Sequence, residues 1–455
     1  MGRDLYKTSA VFRSTVDELD QVYLAATGQS LIKDVGLFAE TSLSSDTLGA
    51  IWPIAITLPS LTVLQLALID TLAALGIRPD AAIGHSAGEV ALLYASGAGH
   101  KALALELAIA RGQAMSLLEK EDGTMAALAC SPERAEPIIA EVAAELGPGV
   151  LEIGCFNSPD AITLSGATGH IDKAVEKAKK AGIFATRLRT RIPVHSGMME
   201  LCEDDYKRRV AEVFPKYQVT KPTVETYSTL TGQQWSDAFS AEYFWDNTRG
   251  PVQFTSAMQA LLKAHPNATF VELGPHPVLA SYVSSMAGSG ALVTCPVRRP
   301  KSSEAPEGVE VQTFMESLGK LVVAGYNLDF DALCGIVQVP DKVIPAFPFA
   351  LKEVPYYAST FEVTRLHQPR NGPLNYPQIR INTKTHPELA EHVIKEEPIM
   401  PAAGYLEMVS VSTILSEVCS LAARRSSLVR ESYGTSSSCQ SCHCRLRSRP
   451  LWTSV

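Results

Sequence analysis

Apolar residues recur along the chain with two periods, and the points where one gives way to the other outline its elements. Leu58, Leu61, Leu64, Leu68, Leu72 and Leu75 share one helical face and predict an amphipathic helix over 57–76, closed by Gly76 with Pro79 beyond. An earlier helix is expected over 8–25. The short run Ala81-Ala82-Ile83 then stops at Gly84-His85-Ser86-Ala87-Gly88-Glu89, and a helical pattern resumes at once, which reads as strand, sharp turn and helix. A further helix over 101–119 turns Leu103, Leu107 and Ala110 inward and carries Arg111 among Ile109, Ala110 and Ala114, an unusual setting for a charge.

From residue 123 the order becomes strand 124–130, helix 131–146, strand 149–156, strand 161–166, helix 168–181, strand 184–188. That is the β-α-β-β-α-β order of a ferredoxin-like unit, with turn chemistry at Asn157-Ser158-Pro159-Asp160 and a helix-ending Gly182. A small sheet is therefore expected inside a larger α/β unit. The larger unit resumes with Arg191-Ile192-Pro193-Val194-His195-Ser196, a helix over 197–214, an extended run at 222–228, a helix over 251–264 and the strand Thr269–Leu273 leading to Gly274-Pro275-His276-Pro277. Residues 296–308 read as polar linker, 309–325 as a helix, and Pro345-Ala346-Phe347-Pro348-Phe349 as a strap. A new segment opens near 376, and from 409 Ser, Arg and Cys accumulate until little can be buried.

Composition narrows the class. The 455 residues, 46% apolar and 19% charged, suggest about two to four folding units with large cores. A net charge of −8 argues against a nucleic-acid partner, since phosphate binding needs a basic surface. Neither a signal core nor an uninterrupted apolar stretch of about 18 residues is seen, so no membrane span and a cytoplasmic location are expected. Cys130, Cys155, Cys202, Cys295 and Cys334 show no pairing pattern and read as reduced thiols. Cys439-Gln440-Ser441-Cys442-His443 matches a C-x-x-C-H spacing but stands in an aperiodic stretch with no second ligand pair, so no metal site is expected.

The chemistry centres on Ser86. A G-x-S-x-G turn between strand and helix lifts a serine hydroxyl clear of a sheet; it also describes an ordinary Ser/Gly connection. A serine nucleophile needs a base and oxyanion donors. Among ten histidines His195 is the best candidate, because it follows a proline-stiffened segment where the large unit resumes; an ordinary loop histidine is the competing reading.

Gly84-His85-Ser86-Ala87-Gly88-Glu89, Ala110-Arg111-Gly112, the ferredoxin-like insert, His195-Ser196, the run Phe244–Phe254 and Glu272-Leu273-Gly274-Pro275-His276-Pro277 occur together in one order. In that order they resemble the malonyl-CoA:acyl-carrier-protein transacylases, most of all the acyltransferase domain of a fungal iterative, reducing type I polyketide synthase, over residues 1–300. The resemblance implies an α/β acyltransferase fold with an α/β-hydrolase-like large subdomain and an inserted ferredoxin-like (βαββαβ) small subdomain. It divides the chain into 1–123 (large subdomain, first part), 124–189 (small subdomain), 190–295 (large subdomain, second part), 296–375 (linker), 376–408 (the start of a dehydratase-like hot-dog domain) and 409–455 (a tail without a fold).

The resemblance further implies that Ser86 attacks the thioester of malonyl-CoA and that His195 takes its proton, oriented by a backbone carbonyl matching Asn247. Arg111 would grip the malonyl carboxylate with a planar, bidentate fork that lysine cannot copy. The Ala87 N–H would be an oxyanion donor, and His85 would lie close to substrate. No tightly bound cofactor is implied: coenzyme A thioester is substrate, and phosphopantetheine comes on an acyl carrier protein domain, with ketosynthase and dehydratase domains as further partners. In the family a Gly-Gln-Gly-x-Gln strand and turn precedes a sequence like Met1–Tyr6 and supplies a second donor. Its absence from this chain leads to an expectation of weak or no turnover, since one such donor is worth about 10² to 10³ in rate. The segment Arg191–Val194 differs from patterns that separate malonyl from methylmalonyl selectivity, and malonyl is the default by analogy. His392, ahead of Pro401 and Gly404-Tyr405-Leu406-Glu407-Met408, falls where a dehydratase histidine motif stands, with Glu396 replacing its glycine. Competing with all this are a serine esterase or thioesterase of the α/β-hydrolase class, which shares the elbow, and a non-catalytic remnant that only docks a carrier protein.

Overall fold

The computed structural model describes residues 2–38, 51–190, 192–300, 304, 308–334, 392–399 and 451–454. The chain divides into two compact units, one of Met1–Gln338 with Leu446–Val455 and the other of Val339–Arg445. In the second, the described residues form a two-stranded hairpin, Val393–Ile394 against Glu397–Pro398. The strap at 345–349, the cysteine cluster from 439 and most of the expected dehydratase-like start lie outside the described residues.

The first unit holds two sheets. Its large sheet has the strand order Gln233–Trp235, Glu225–Ser228, Ala81–Gly84, Leu451–Ser454, Phe270–Leu273, Val293–Thr294, parallel throughout except for the Glu225–Ser228/Gln233–Trp235 hairpin. Ala81–Gly84 and Phe270–Leu273 are buried at every position, so neither alternates an inward with an outward residue, although the second carries buried Glu272. The small sheet, Leu151–Ser158, Ala161–Ala167, Gly123–Leu128, Ala185–Arg187, is wholly antiparallel. With helices Pro132–Leu146 and Thr168–Lys180 it forms a ferredoxin-like unit around Ala126, Leu128, Ile138, Val142, Ile162, Leu164 and Ile171.

The main core lies between helices α1 (Arg3–Thr8), α2 (Ala10–Thr27), α3 (Ile54–Ala74), α4 (Gly88–Ala95) and α5 (Lys101–Met115) and the sheet. Ser9 caps α2 through its side chain, which accepts from the Phe12 N–H, and Gly28 in the left-handed conformation ends it. Helix α3 is long and apolar enough to cross a membrane by length and composition, yet most of it is buried among α2 and α5.

One expectation is corrected here. The tail from 409 contributes Leu451–Ser454 as a central strand, with Trp452 opposite both Ala82 and Val271. Pairing on both sides satisfies backbone groups that the two buried neighbouring strands would otherwise leave open, a tertiary gain that local composition does not register. The helix expected over 309–325 is present as Val309–Val323, and its Phe314, Leu318 and Leu321 belong to the main core. The Glu310 carboxylate accepts from the Asp4 N–H and ties this helix to α1.

Candidate active site

Strand Ala81–Gly84 ends where a Cβ on residue 84 would stand 2.9 Å from the backbone of Glu89, so only glycine lets the strand meet the helix that follows. Ser86 then takes φ 54°, a left-handed conformation that costs a non-glycine residue about 1–3 kcal/mol and turns its hydroxyl outward. Ala87 is the N-cap residue of α4, so its N–H stands at the positive end of that helix.

His195 reaches this serine from the loop that follows the small sheet. It too has positive φ, 64°, and is 1% exposed. Nε2 lies 2.7 Å from Ser86 Oγ, and Nδ1 lies 2.8 Å from the Gly250 carbonyl oxygen. A carbonyl can only accept, so Nδ1 carries the proton, Nε2 presents a lone pair, and the Ser86 hydroxyl donates to it. Burial, aided by the positive charge of Arg111, pushes the imidazole down to about 3, which keeps it neutral and able to accept a proton. The His195 N–H donates to the Thr248 carbonyl at 3.3 Å.

The orienting carbonyl belongs to Gly250, where Asn247 was expected. Helix α6 (Ala241–Arg249) ends just before Gly250, which is extended, so its carbonyl is turned away from the helical ladder. Asn247 lies within the last turn, and its carbonyl pulls on the ring in the same sense but less. Its side chain has a different partner: Arg111 Nη1 donates to Asn247 Oδ1 at 3.1 Å.

Arg111 is 2% exposed and its Nε has no hydrogen-bond partner; the hydroxyl of buried Tyr206 is likewise without one. Burial lowers the pKa of Arg111, while Tyr206, Cys202 and Glu89 oppose that shift. A buried guanidinium with spare donors suits an arriving carboxylate. The structure thus brings Ser86, His195, Arg111, Asn247 and Ala87 into one neighbourhood. His85 lies near enough to His195 to help lower its pKa, and it also reaches the small sheet: its Nε2 lies 2.8 Å from Asn157 Oδ1, and its ring meets Phe254 edge-on. His392 belongs to the other unit, is exposed, and its Nδ1 lies 2.7 Å from the Ile399 carbonyl. No group of three potential metal ligands occurs among the described residues. A cavity of about 940 Å³ has Phe38, Trp52, Leu61, Arg189 and Arg299 among its walls but none of Ser86, His195 or Arg111. It backs onto the helix of Arg111, since Ile54, also in its wall, would touch a Cβ at position 112.

Sequence reasoning missed three contributors. Gly250 is a helix-ending glycine whose carbonyl role shows only in three dimensions. Glu89 is buried and held by Thr229 and Tyr243; a charge in the first turn of an apolar helix was the available signal. Glu152 accepts from Gly197 N–H and pairs with Arg249, which fastens the small sheet to the loop of His195.

A strained serine hydroxyl that donates to a neutral imidazole, on an α/β scaffold, defines a serine acyl-transfer protein. The Acyl transferase domain family matches residues 1–308, and the chain belongs to that family. The highly reducing polyketide synthase stpks1 of Strobilurus tenacellus is 44% identical over 416 residues, an alignment covering 90% of this chain and 15% of the relative. The chain therefore spans about 15% of that relative's length. Among solved structures, the acyltransferase domain from the second module of the salinomycin polyketide synthase superposes with a TM-score of 0.62 at 28% identity, covering 76% of this chain and 75% of that one. The malonyl CoA-acyl carrier protein transacylase of Coxiella burnetii shares the fold, with a TM-score of 0.52 at 23% identity over 62% of this chain and 85% of its own.

Proposed function

We propose that this chain moves a malonyl group from coenzyme A to the phosphopantetheine thiol of an acyl carrier protein domain, within a larger polyketide synthase of the cytoplasm. The observation that carries the reading is the Ser86–His195–Gly250 relay beside buried Arg111. Ser86 Oγ attacks the thioester carbonyl carbon as its proton passes to His195 Nε2, and the Ala87 N–H faces the developing oxyanion. The C–S bond breaks, and the coenzyme A thiolate leaves with the proton from His195. In the second half, His195 takes the proton of the pantetheine thiol, the sulfur attacks the ester carbonyl, and Ser86 Oγ leaves and regains its proton. Arg111 gives the malonyl carboxylate a paired charge in a site where an unpaired one would be costly.

The pairing of Nδ1 with a carbonyl separates this reading from the serine–histidine–acid hydrolases. Release of free coenzyme A from malonyl-CoA tests it. The expected course is one equivalent per chain, with further turnover only when a pantetheine thiol is added. Continuous release without any thiol would identify a hydrolase, and no release at all would favour a docking role.

A further inference from the structure

Glu89 brings a carboxylate into the wall of the site that none of these proton transfers uses. It follows Ser86 by three residues, stands in the first turn of α4 and is 0% exposed. One oxygen accepts from the Thr229 N–H at 2.7 Å and from the Thr229 hydroxyl; the other accepts from the Tyr243 hydroxyl at 2.7 Å. The Tyr243 oxygen also lies 2.6 Å from Ser228 Oγ. A phenol has one proton, so the Ser228 hydroxyl donates to Tyr243 while Tyr243 donates to Glu89. Burial pushes the Glu89 carboxyl up, and its three donors and Arg111 hold it down.

Tyr243 rides on α6, and the same nine-residue helix and the residue after it supply three contacts that orient Arg111 and His195. Asn247 holds Arg111, the Thr248 carbonyl holds the His195 backbone, and the Gly250 carbonyl holds the His195 ring. The helix of the nucleophile and the helix that aims the base and the clamp are thus joined at one buried carboxylate. Ser86 sits in a strained conformation, so the elbow needs such an external restraint to keep its angle.

We propose that Glu89 is a positioning residue: through Tyr243 it fixes His195 and Arg111 relative to Ser86. The proposal rests on the reading of Ser86 and His195 as an acyl-transfer pair. A displacement of about 1 Å at such a site costs roughly a hundredfold in rate.

The test compares the full chain with its Glu89→Gln, Glu89→Ala and Tyr243→Phe variants, using a fluorophosphonate that labels a reactive serine and needs no coenzyme A. Labelling rate per folded molecule is measured across pH beside the thermal midpoint. In Glu89→Gln the amide oxygen still accepts from Thr229, and the NH₂ donates to Tyr243, whose proton turns to Ser228. This variant is expected to label within about threefold of wild type. Glu89→Ala and Tyr243→Phe are expected to slow about tenfold to a hundredfold, with the acid limb of their pH profiles moved toward 6.5 as the enclosure of His195 loosens. If Glu89→Ala does not fold, Tyr243→Phe decides. Equal rates per folded molecule in every variant, with only the thermal midpoint lowered, would overturn the proposal. A wild-type chain that labels but takes no malonyl sinks the substrate reading alone, whereas one that does not label sinks both.

Discussion

The small sheet and the active-site wall are built on opposite terms. Between Gly123 and Arg187, positive φ is confined to Gly147, Gly166 and Gly182, the core is apolar, and charges pair on exposed helix faces, as in Lys177 with Glu141 and Glu145. Around Ser86 the positive φ falls on Ser86 and His195 themselves, and Arg111, Glu89 and His195 are buried. The first region is largely consistent with its local pattern; the second carries strain and buried charge held by tertiary contacts. Chemistry is therefore found where the local rules are broken together.

Substitutions should expose this contrast in graded steps. Ser86→Ala is expected to abolish acyl-enzyme formation altogether, and Ser86→Gly to do the same while raising the thermal midpoint, because glycine accepts the left-handed conformation freely. A Ser86→Gly chain that melts earlier would show the elbow is not strained. Arg111→Ala should cut acylation by malonyl-CoA about tenfold to a hundredfold more than acylation by acetyl-CoA, with no rescue by lysine. Parallel single-turnover rates measure this, and an undiminished malonyl preference would remove Arg111 from the clamp.

Acid should act on the site wall before the small sheet. His195 has a folded pKa near 3, below its ordinary 6.5, so the unfolded chain binds the proton more readily. Its contribution is complete above pH 6.5 and is lost as pH falls toward 3, at up to about 1.4 kcal/mol per pH unit. Denaturant titrations of wild type and His195→Gln should diverge in that window; identical acid slopes would place the sensitivity elsewhere. The smallest effect belongs to Lys177→Ala on the small sheet's outer helix. It should leave acylation unchanged and lower the thermal midpoint slightly, by an amount that fades at high salt.

Much of this was legible in the sequence, and the limits have a physical pattern. The strand-turn-helix at Ala81–Ala95 and the small sheet's element order are written in local periodicity, and Ser86, Arg111 and His195 stand in short motifs. What escaped depends on partners distant in sequence. The carbonyl of Gly250, 55 residues from His195, was assigned to Asn247 because only the end of the helix decides which carbonyl is free. The tie between Glu89 and Tyr243 spans 154 residues. Leu451–Ser454 is too short a strand, in too polar a stretch, for composition to show it, and its pairing with Ala81–Gly84 and Phe270–Leu273 is a property of the assembled sheet.

The central claim, that Ser86 carries the acyl group, is tested most directly by intact mass after brief exposure to malonyl-CoA, followed by peptide mapping of the adduct. The account predicts one malonyl ester per chain, located on Ser86, absent from Ser86→Ala and discharged by a pantetheine thiol. An adduct that persists in Ser86→Ala, or one mapped to another residue, would contradict it.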